Sequence, residues 1–350
     1  MKAFGFLSFG HYGNVPGSKT RTAGEMMAQH VELAELADQI GVNGAYMRVH
    51  HFARQNASPI PLLTAMAMRT KNIEVGTGVI DMRYENPLYL AEEAAALDLL
   101  SGGRLALGIS RGSPETALRG YEAFGYTGSN DPRGADIARK KFEQFLHAIE
   151  GHKIVAGDPQ MTGPGTRLAL EPLSPTLREH VWWGAGSRET AIDTGKMGLN
   201  LMSSTLLTEA PGKPFHELRA EQIHLFTEAY KEAGHTGTPR VSVSRSIFPL
   251  ITDEDRMYFG LRGSDSKDQV GIIDGLKSTF GKTYAAEPDQ LIEQLKSDEA
   301  VMSADTLMLT VPNQLGVAKN ISILENFAKH VAPALGWKPN WEGPVTGYPI

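Results

Sequence analysis

Gly44-Ala45-Tyr46-Met47-Arg48-Val49-His50-His51-Phe52 is a short run of bulky and β-branched residues that ends in two adjacent imidazoles. Before it, residues 23–40 carry apolar side chains at helical spacing (Met27, Val31, Leu33, Ala34, Leu36, Ala37, Ile40) and stop at Gly41. After it, Ala57-Ser58-Pro59 is a helix-start signal. The passage reads helix, strand, helix, with His50 and His51 at the C-terminal tip of the strand. In folds of parallel strands and helices, ligands collect at that end of the sheet. An imidazole can give or take a proton near neutral pH.

The same rhythm continues on both sides. Strands are expected at 3–9, 73–80, 104–110, 181–183, 199–202, 240–251 and 305–311. Helices are expected at 59–69, 87–100, 136–151, 187–197, 216–234, 288–296 and 315–331. Residues 152–180, rich in Gly and Pro, read as an inserted hairpin after the fourth helix. Residues 252–287 show scattered charges and little periodicity, and read as a long mobile loop after the seventh strand. The proline-rich tail 333–350 reads as an irregular wrap. Eight strand–helix pairs without a linker predict one α/β domain over 1–350, a single (β/α)8 TIM-like barrel.

Composition narrows the function. With 350 residues, 41% hydrophobic and 21% charged, the chain can bury a full core. The net charge of −6 and the lack of a Lys/Arg cluster argue against nucleic acid. No apolar run approaches the ~18 residues of a membrane span. The absence of cysteine removes disulfides, thiolate metal sites and cysteine nucleophiles together, and fits a cytoplasmic protein.

Several strand tips carry residues suited to a site. Arg111 follows the fourth strand and precedes Gly112, a pairing that suits phosphate contact or, equally, a surface ion pair. Gly184-Ala185-Gly186-Ser187 leads into a helix with Thr190 one turn on, which fits either a phosphate cradle or a plain N-cap. The third glycine of a dinucleotide fingerprint is missing, since position 189 is Glu, so no nicotinamide site is expected. Adjacent residues on a strand face opposite sides, so His50 and His51 are not expected to share a metal. Asp81 is the one further carboxylate at an obvious tip, and no metal site is expected. Ser8, Ser110 and Ser113 are hydroxyls without the Gly-x-Ser-x-Gly setting of a nucleophile. Gly76-Thr77-Gly78-Val79 suggests close backbone approach to a planar group, or simple sheet packing.

Taken together and in order, His50-His51-Phe52, Val75–Val79, Asn86-Pro87 with Ala91-Glu92-Glu93, Leu97–Leu105 and Gly108–Gly112 resemble the bacterial luciferase-like flavin monooxygenases. The resemblance covers most of residues 1–203. It implies FMN bound at the barrel mouth, where the reduced flavin reacts with O2 to give a C4a-hydroperoxide that oxygenates a small organic substrate. By position it implies His50 as catalytic histidine with His51 beside it, and a non-proline cis peptide at Gly78–Val79 behind the flavin ring. Gly76, Thr77, Ser110, Gly112 and Ala185 fall at the cofactor, and Arg111, Gly186, Ser187 and Thr190 in the phosphate cradle. It also implies a mobile lid at 252–287 and a homodimer through the helices at 59–69 and 87–100.

Two departures matter. Luciferases proper have an acid where this chain has Val49, so His50 is expected to lack that carboxylate neighbour. They have a reactive cysteine where this chain has Ser110, so light emission is not expected. Reduced flavin is expected from a separate NAD(P)H:flavin reductase. The rival readings are a deazaflavin (F420) hydride-transfer enzyme, a non-catalytic flavin-binding protein and a metal hydrolase.

Overall fold

The computed structural model describes residues 3–112, 115–209, 212–264, 266–273 and 276–343. Its frame is a ring of eight parallel strands: β1 (Ala3–Ser8), β2 (Gly44–Met47), β3 (Glu74–Thr77), β4 (Leu105–Ser110), β5 (Val181–Ala185), β6 (Asn200–Ser203), β7 (Val241–Pro249) and β8 (Thr306–Val311). Each strand pairs with the next, and Ala3 opposite Thr306 closes β8 onto β1. Closure leaves this sheet no free edge to pair with another chain. Outside the ring lie α1 (Ala23–Gln39), α2 (Pro59–Arg69), α3 (Pro87–Ser101), α4 (Ala135–Ile149), α5 (Arg188–Lys196), α6 (Phe215–Glu232), α7 (Pro288–Lys296) and α8 (Val317–His330). The barrel expected from the sequence is present pair by pair. Among the described residues, no helix is long and apolar enough to cross a membrane.

Local chemistry explains the helix starts. Thr22 and Glu25 form a capping box at α1, and Asn86 caps α3 ahead of Pro87. Strand glycines serve the barrel interior. A Cβ on Gly44 would lie 2.3 Å from the Tyr46 hydroxyl, one on Gly5 2.7 Å from the ring, and one on Gly76 3.0 Å from it. Tyr46 packs there with Ala106, Trp182, Met202 and Met308, so the lower barrel is filled rather than hollow.

Below this plug sits a buried ion network. Arg240 pairs with Glu74 at 2.6 Å and stacks over Trp182 at 4.6 Å, while the Tyr46 hydroxyl donates to Glu74 at 2.7 Å. The tail closes the same end: Trp337 packs on Phe4 at 4.8 Å and donates to Asn43 at 2.7 Å.

The two interruptions fared differently. Within 152–180, Val155–Ala156 and Arg167–Leu168 pair antiparallel around a one-turn helix, a small hairpin as expected. The reading of 252–287 as structureless needs correction. A helix spans Asp253–Ser264, an antiparallel hairpin joins Gln269–Ile273 to Leu276–Phe280, and Thr283–Ala286 pairs with β7. The helix is started by a Thr252/Asp255 box, with Asp255 accepting from the amides of Ile251 and Thr252.

An acid-sensitive clasp ties α3 to the chain entering β5. Asp98 accepts from Ser174, Thr176 and His180 at 2.5, 2.7 and 3.0 Å. Burial opposes the charged carboxylate, but these hydrogen bonds outweigh it and hold Asp98 below its ordinary 3.8. A lowered folded pKa gives stability that is present above the unfolded value and lost as pH falls through the folded one. Asp98→Asn is therefore expected to lower stability at pH 6 and to flatten its acid decline below about pH 4. Denaturant midpoints measured across pH 3–6 check this; parallel curves for the two proteins would contradict it.

Candidate active site

The C-terminal mouth of the barrel holds an open cavity of about 150 Å³. Its floor and walls come from the tips of β1 to β6, with Ser244 of β7. Past β3, the Gly78–Val79 peptide is cis, and the chain resumes at Ile80–Asp81 alongside β4. Gly78 and Val79 line the cavity with Ser110, Gly112, Ala185 and Gly186. A Cβ on Gly184 would lie 3.2 Å from Val79 and 3.3 Å from Ser110, so this wall is as thin as a backbone allows. One on Gly186 would meet nothing nearer than 3.8 Å.

Beside Gly186 begins α5. Ser187 caps it by accepting from the Thr190 amide, and the two hydroxyls lie 3.0 Å apart. The N-cap reading and the cradle reading therefore share the same atoms. The β5 and β6 tips are held from behind by Arg219, which is fully buried and donates to the carbonyls of Ala185 at 3.0 Å and Ser204 at 2.7 Å. Leu206–Leu207, past β6, pairs with the 276–280 strand, so the added hairpin stands at the mouth.

Not all expected residues face the cavity. Gly76 and Thr77 do not line it: Gly76 makes room for Tyr46, and Thr77 is fully buried, donating to the Gly108 carbonyl at 2.8 Å. Arg111 makes no ion pair or hydrogen bond among the described residues, and Ser113 lies outside them.

His50 and His51 follow directly on Arg48 and Val49 but, unlike them, do not line the cavity. β2 ends at Met47, so the pair lies past the strand, and Phe52 turns the chain sharply with φ +54°. His50 Nδ1 lies 3.1 Å from Glu115, both side chains being buried. A carboxylate accepts, so Nδ1–H donates and Nε2 is the free nitrogen. The expectation that His50 lacks a carboxylate neighbour is corrected here: Glu115 supplies one from sixty-five residues away. His51 stacks on Tyr84 with ring centroids 4.1 Å apart and Phe124 edge-on. Burial lowers its pKa, which favours the neutral ring. Burial, with the Glu115 and Asp81 charges, pushes the Tyr84 phenol up to about 12.

Sequence reading missed Arg48, Glu115 and Arg219. A local cue existed for Arg48 alone, a cation on the strand tip next to the histidines. Asp81, noted as a possible ligand, is held by Arg83 through hydrogen bonds of 2.5–3.0 Å.

Residues 3–257 match the family described as luciferase-like monooxygenase, and the chain belongs to that family of oxidoreductases. Among its relatives is the oxygenase component of a flavin-dependent trigonelline monooxygenase from Acinetobacter baylyi, 28% identical over 368 residues and covering 94% of this chain and 95% of the relative. The fold is shared with the oxygenating constituent of Pseudomonas putida 3,6-diketocamphane monooxygenase, solved with FMN. That match has a TM-score of 0.70 at 18% identity over 95% of this chain and 98% of the other. An F420-dependent secondary alcohol dehydrogenase has a TM-score of 0.61 at 17% identity, covering 96% of this chain and 99% of its own.

Proposed function

We propose that the protein is the oxygenase component of a two-component FMN monooxygenase, acting on a small organic substrate in the cytoplasm beside a separate flavin reductase. The observation that carries this is the cavity itself. Gly78 and Val79 line it together with Ser110, Gly184 and Gly186, and Gly186 leads directly into the α5 N-terminus, capped by Ser187. A planar ring fits the first part and a phosphate the second. The trigonelline relative is by name an oxygenase component, which supports the two-component arrangement.

FMN, once reduced, would supply the electrons for O2 activation. The chain's part is to bind and shield it. Gly186, Ser187 and Thr190, with Arg111, would hold the phosphate, and Gly78 and Val79 would support the ring. The 269–280 hairpin would limit water at the mouth. His50, with its proton fixed by Glu115, would supply the proton switch beside the cavity.

Arg111→Ala is expected to raise the FMN dissociation constant about 10- to 100-fold, as for losing a hydrogen bond to a charged group worth about 1.5–3 kcal/mol. Anaerobic titration with reduced FMN tests this, and reduced F420 serves as the comparison. Unchanged FMN affinity would remove Arg111 from the cradle; preference for F420 would overturn the oxygenase reading.

We also propose a homodimer through α2 and α3. These helices leave Met68, Tyr89, Leu99 and Leu100 exposed at 52%, 68%, 48% and 59%, a concentration of apolar surface that favours a partner. Light scattering is expected to give twice the 38.0 kDa chain mass. The double substitution Tyr89→Asp with Leu100→Asp is expected to give monomers. A monomeric wild type would contradict this assembly.

A further inference from the structure

Two charged side chains line the cavity, and they differ in one respect. Asp81 is neutralised by its fork to Arg83. Arg48 is not so engaged: among the described residues its guanidinium makes no hydrogen bond or ion pair, and it lies 4.7 Å over the Phe9 ring. Its backbone is fixed, with the Arg48 amide bonded to the Ser8 carbonyl at 2.8 Å. Glu115, whose charge reaches Arg48, is hydrogen-bonded to His50 instead. The ring of His11, parallel to Phe9 with centroids 5.8 Å apart, lies within reach of the Arg48 charge. The cavity thus has an uncommitted cation at the β2 tip.

That position is separate from the phosphate cradle. Arg48 follows β2, whereas Gly186 and Ser187 follow β5, three strands round the barrel and on the order of 10 Å away at the usual strand spacing. The Gly78–Val79 floor follows β3 and lies between them. The cavity lining contributed by β1 and β2 also includes the apolar side chains of Leu7, Phe9 and Val49. A half-buried guanidinium over an aromatic ring keeps N–H groups that can act as a two-pronged donor, which matches a carboxylate.

We infer that Arg48 is the specificity residue of this enzyme and selects small apolar or aromatic carboxylates as substrates. The carboxylate would sit on Arg48 and the hydrocarbon body against Phe9, Leu7 and Val49, over the floor. This rests on the oxygenase reading for its meaning in turnover, but not for its test of binding.

The test uses two acid/amide pairs, benzoate with benzamide and nicotinate with nicotinamide, titrated into FMN-loaded protein by calorimetry. The acids are expected to bind wild type at least about 30-fold more tightly than their amides, as charge-assisted pairing requires. Arg48→Gln and Arg48→Met are expected to abolish that preference while leaving amide affinity unchanged and FMN affinity within about threefold. Arg48→Lys is expected to keep part of it. The acid–amide comparison on wild type stands even where a variant folds poorly. Equal binding of acids and amides, or no binding of either acid, would overturn the inference. So would loss of FMN affinity in the Arg48 variants, which would place Arg48 on the cofactor. Should wild type bind no FMN, the oxygenase reading falls, and the same titrations on the flavin-free protein still decide the role of Arg48.

Discussion

Replacing His50 with alanine is expected to cut product formation per reduced flavin about 10²- to 10⁴-fold, the range for losing a positioned acid–base group. FMN affinity is expected to stay within about threefold, because the proposed cofactor contacts lie at the β3–β5 tips. His50 is buried, its Nδ1 is engaged by Glu115, and it follows directly on the cavity-lining Arg48 and Val49. That arrangement leaves Nε2 as the nitrogen able to exchange a proton. Glu115→Gln should cost less, because the ring remains and only the preference for one tautomer weakens. Single-turnover product yield measured beside flavin binding separates the two roles. Turnover in His50→Ala within about threefold of wild type would make the His50–Glu115 pair a packing element.

The second large effect concerns stability. Glu74→Gln is expected to cost about 3 kcal/mol, the lower end of the range for breaking a buried pair. Glutamine can still accept from Tyr46, but the Arg240 charge then loses the carboxylate at 2.6 Å and keeps the more distant one of Asp305, at 3.8 Å. The double variant Glu74→Leu with Arg240→Met should recover much of the loss, since apolar replacement of a whole buried pair is often neutral. Guanidinium midpoints measured at a common slope decide this. A single substitution as mild as the double one would show that the network carries little of the barrel's stability.

The barrel was legible because its signals are local. Each strand is a short apolar run, and most helices begin or end on Pro, Ser, Asn or Gly. The 252–287 segment was not, for two reasons. Its helix is polar, with only Thr252 and Asp255 to mark its start. Its hairpin is registered by pairing with Leu206–Leu207, about seventy residues earlier, which no local pattern reveals.

The site divides the same way. Gly78, Val79, Ser110, Gly112, Ala185 and Gly186, which the resemblance places at the cofactor, line the cavity. Gly76 and Thr77 followed the same cue, but one yields to the Tyr46 ring and the other bonds across the sheet. The partners of His50 and Ala185, Glu115 and Arg219, come from distant loops and helices. Their roles depend on tertiary contact and leave no mark in the neighbouring sequence.

The most direct measurement of the central proposal is anaerobic loading of the purified protein with reduced FMN, followed by rapid mixing with aerated buffer. The proposal predicts stoichiometric binding and a near-ultraviolet absorbance transient that outlives the reaction of free reduced flavin with O2. Tight binding without the transient would contradict the oxygenase assignment, and absence of binding would contradict the FMN site itself.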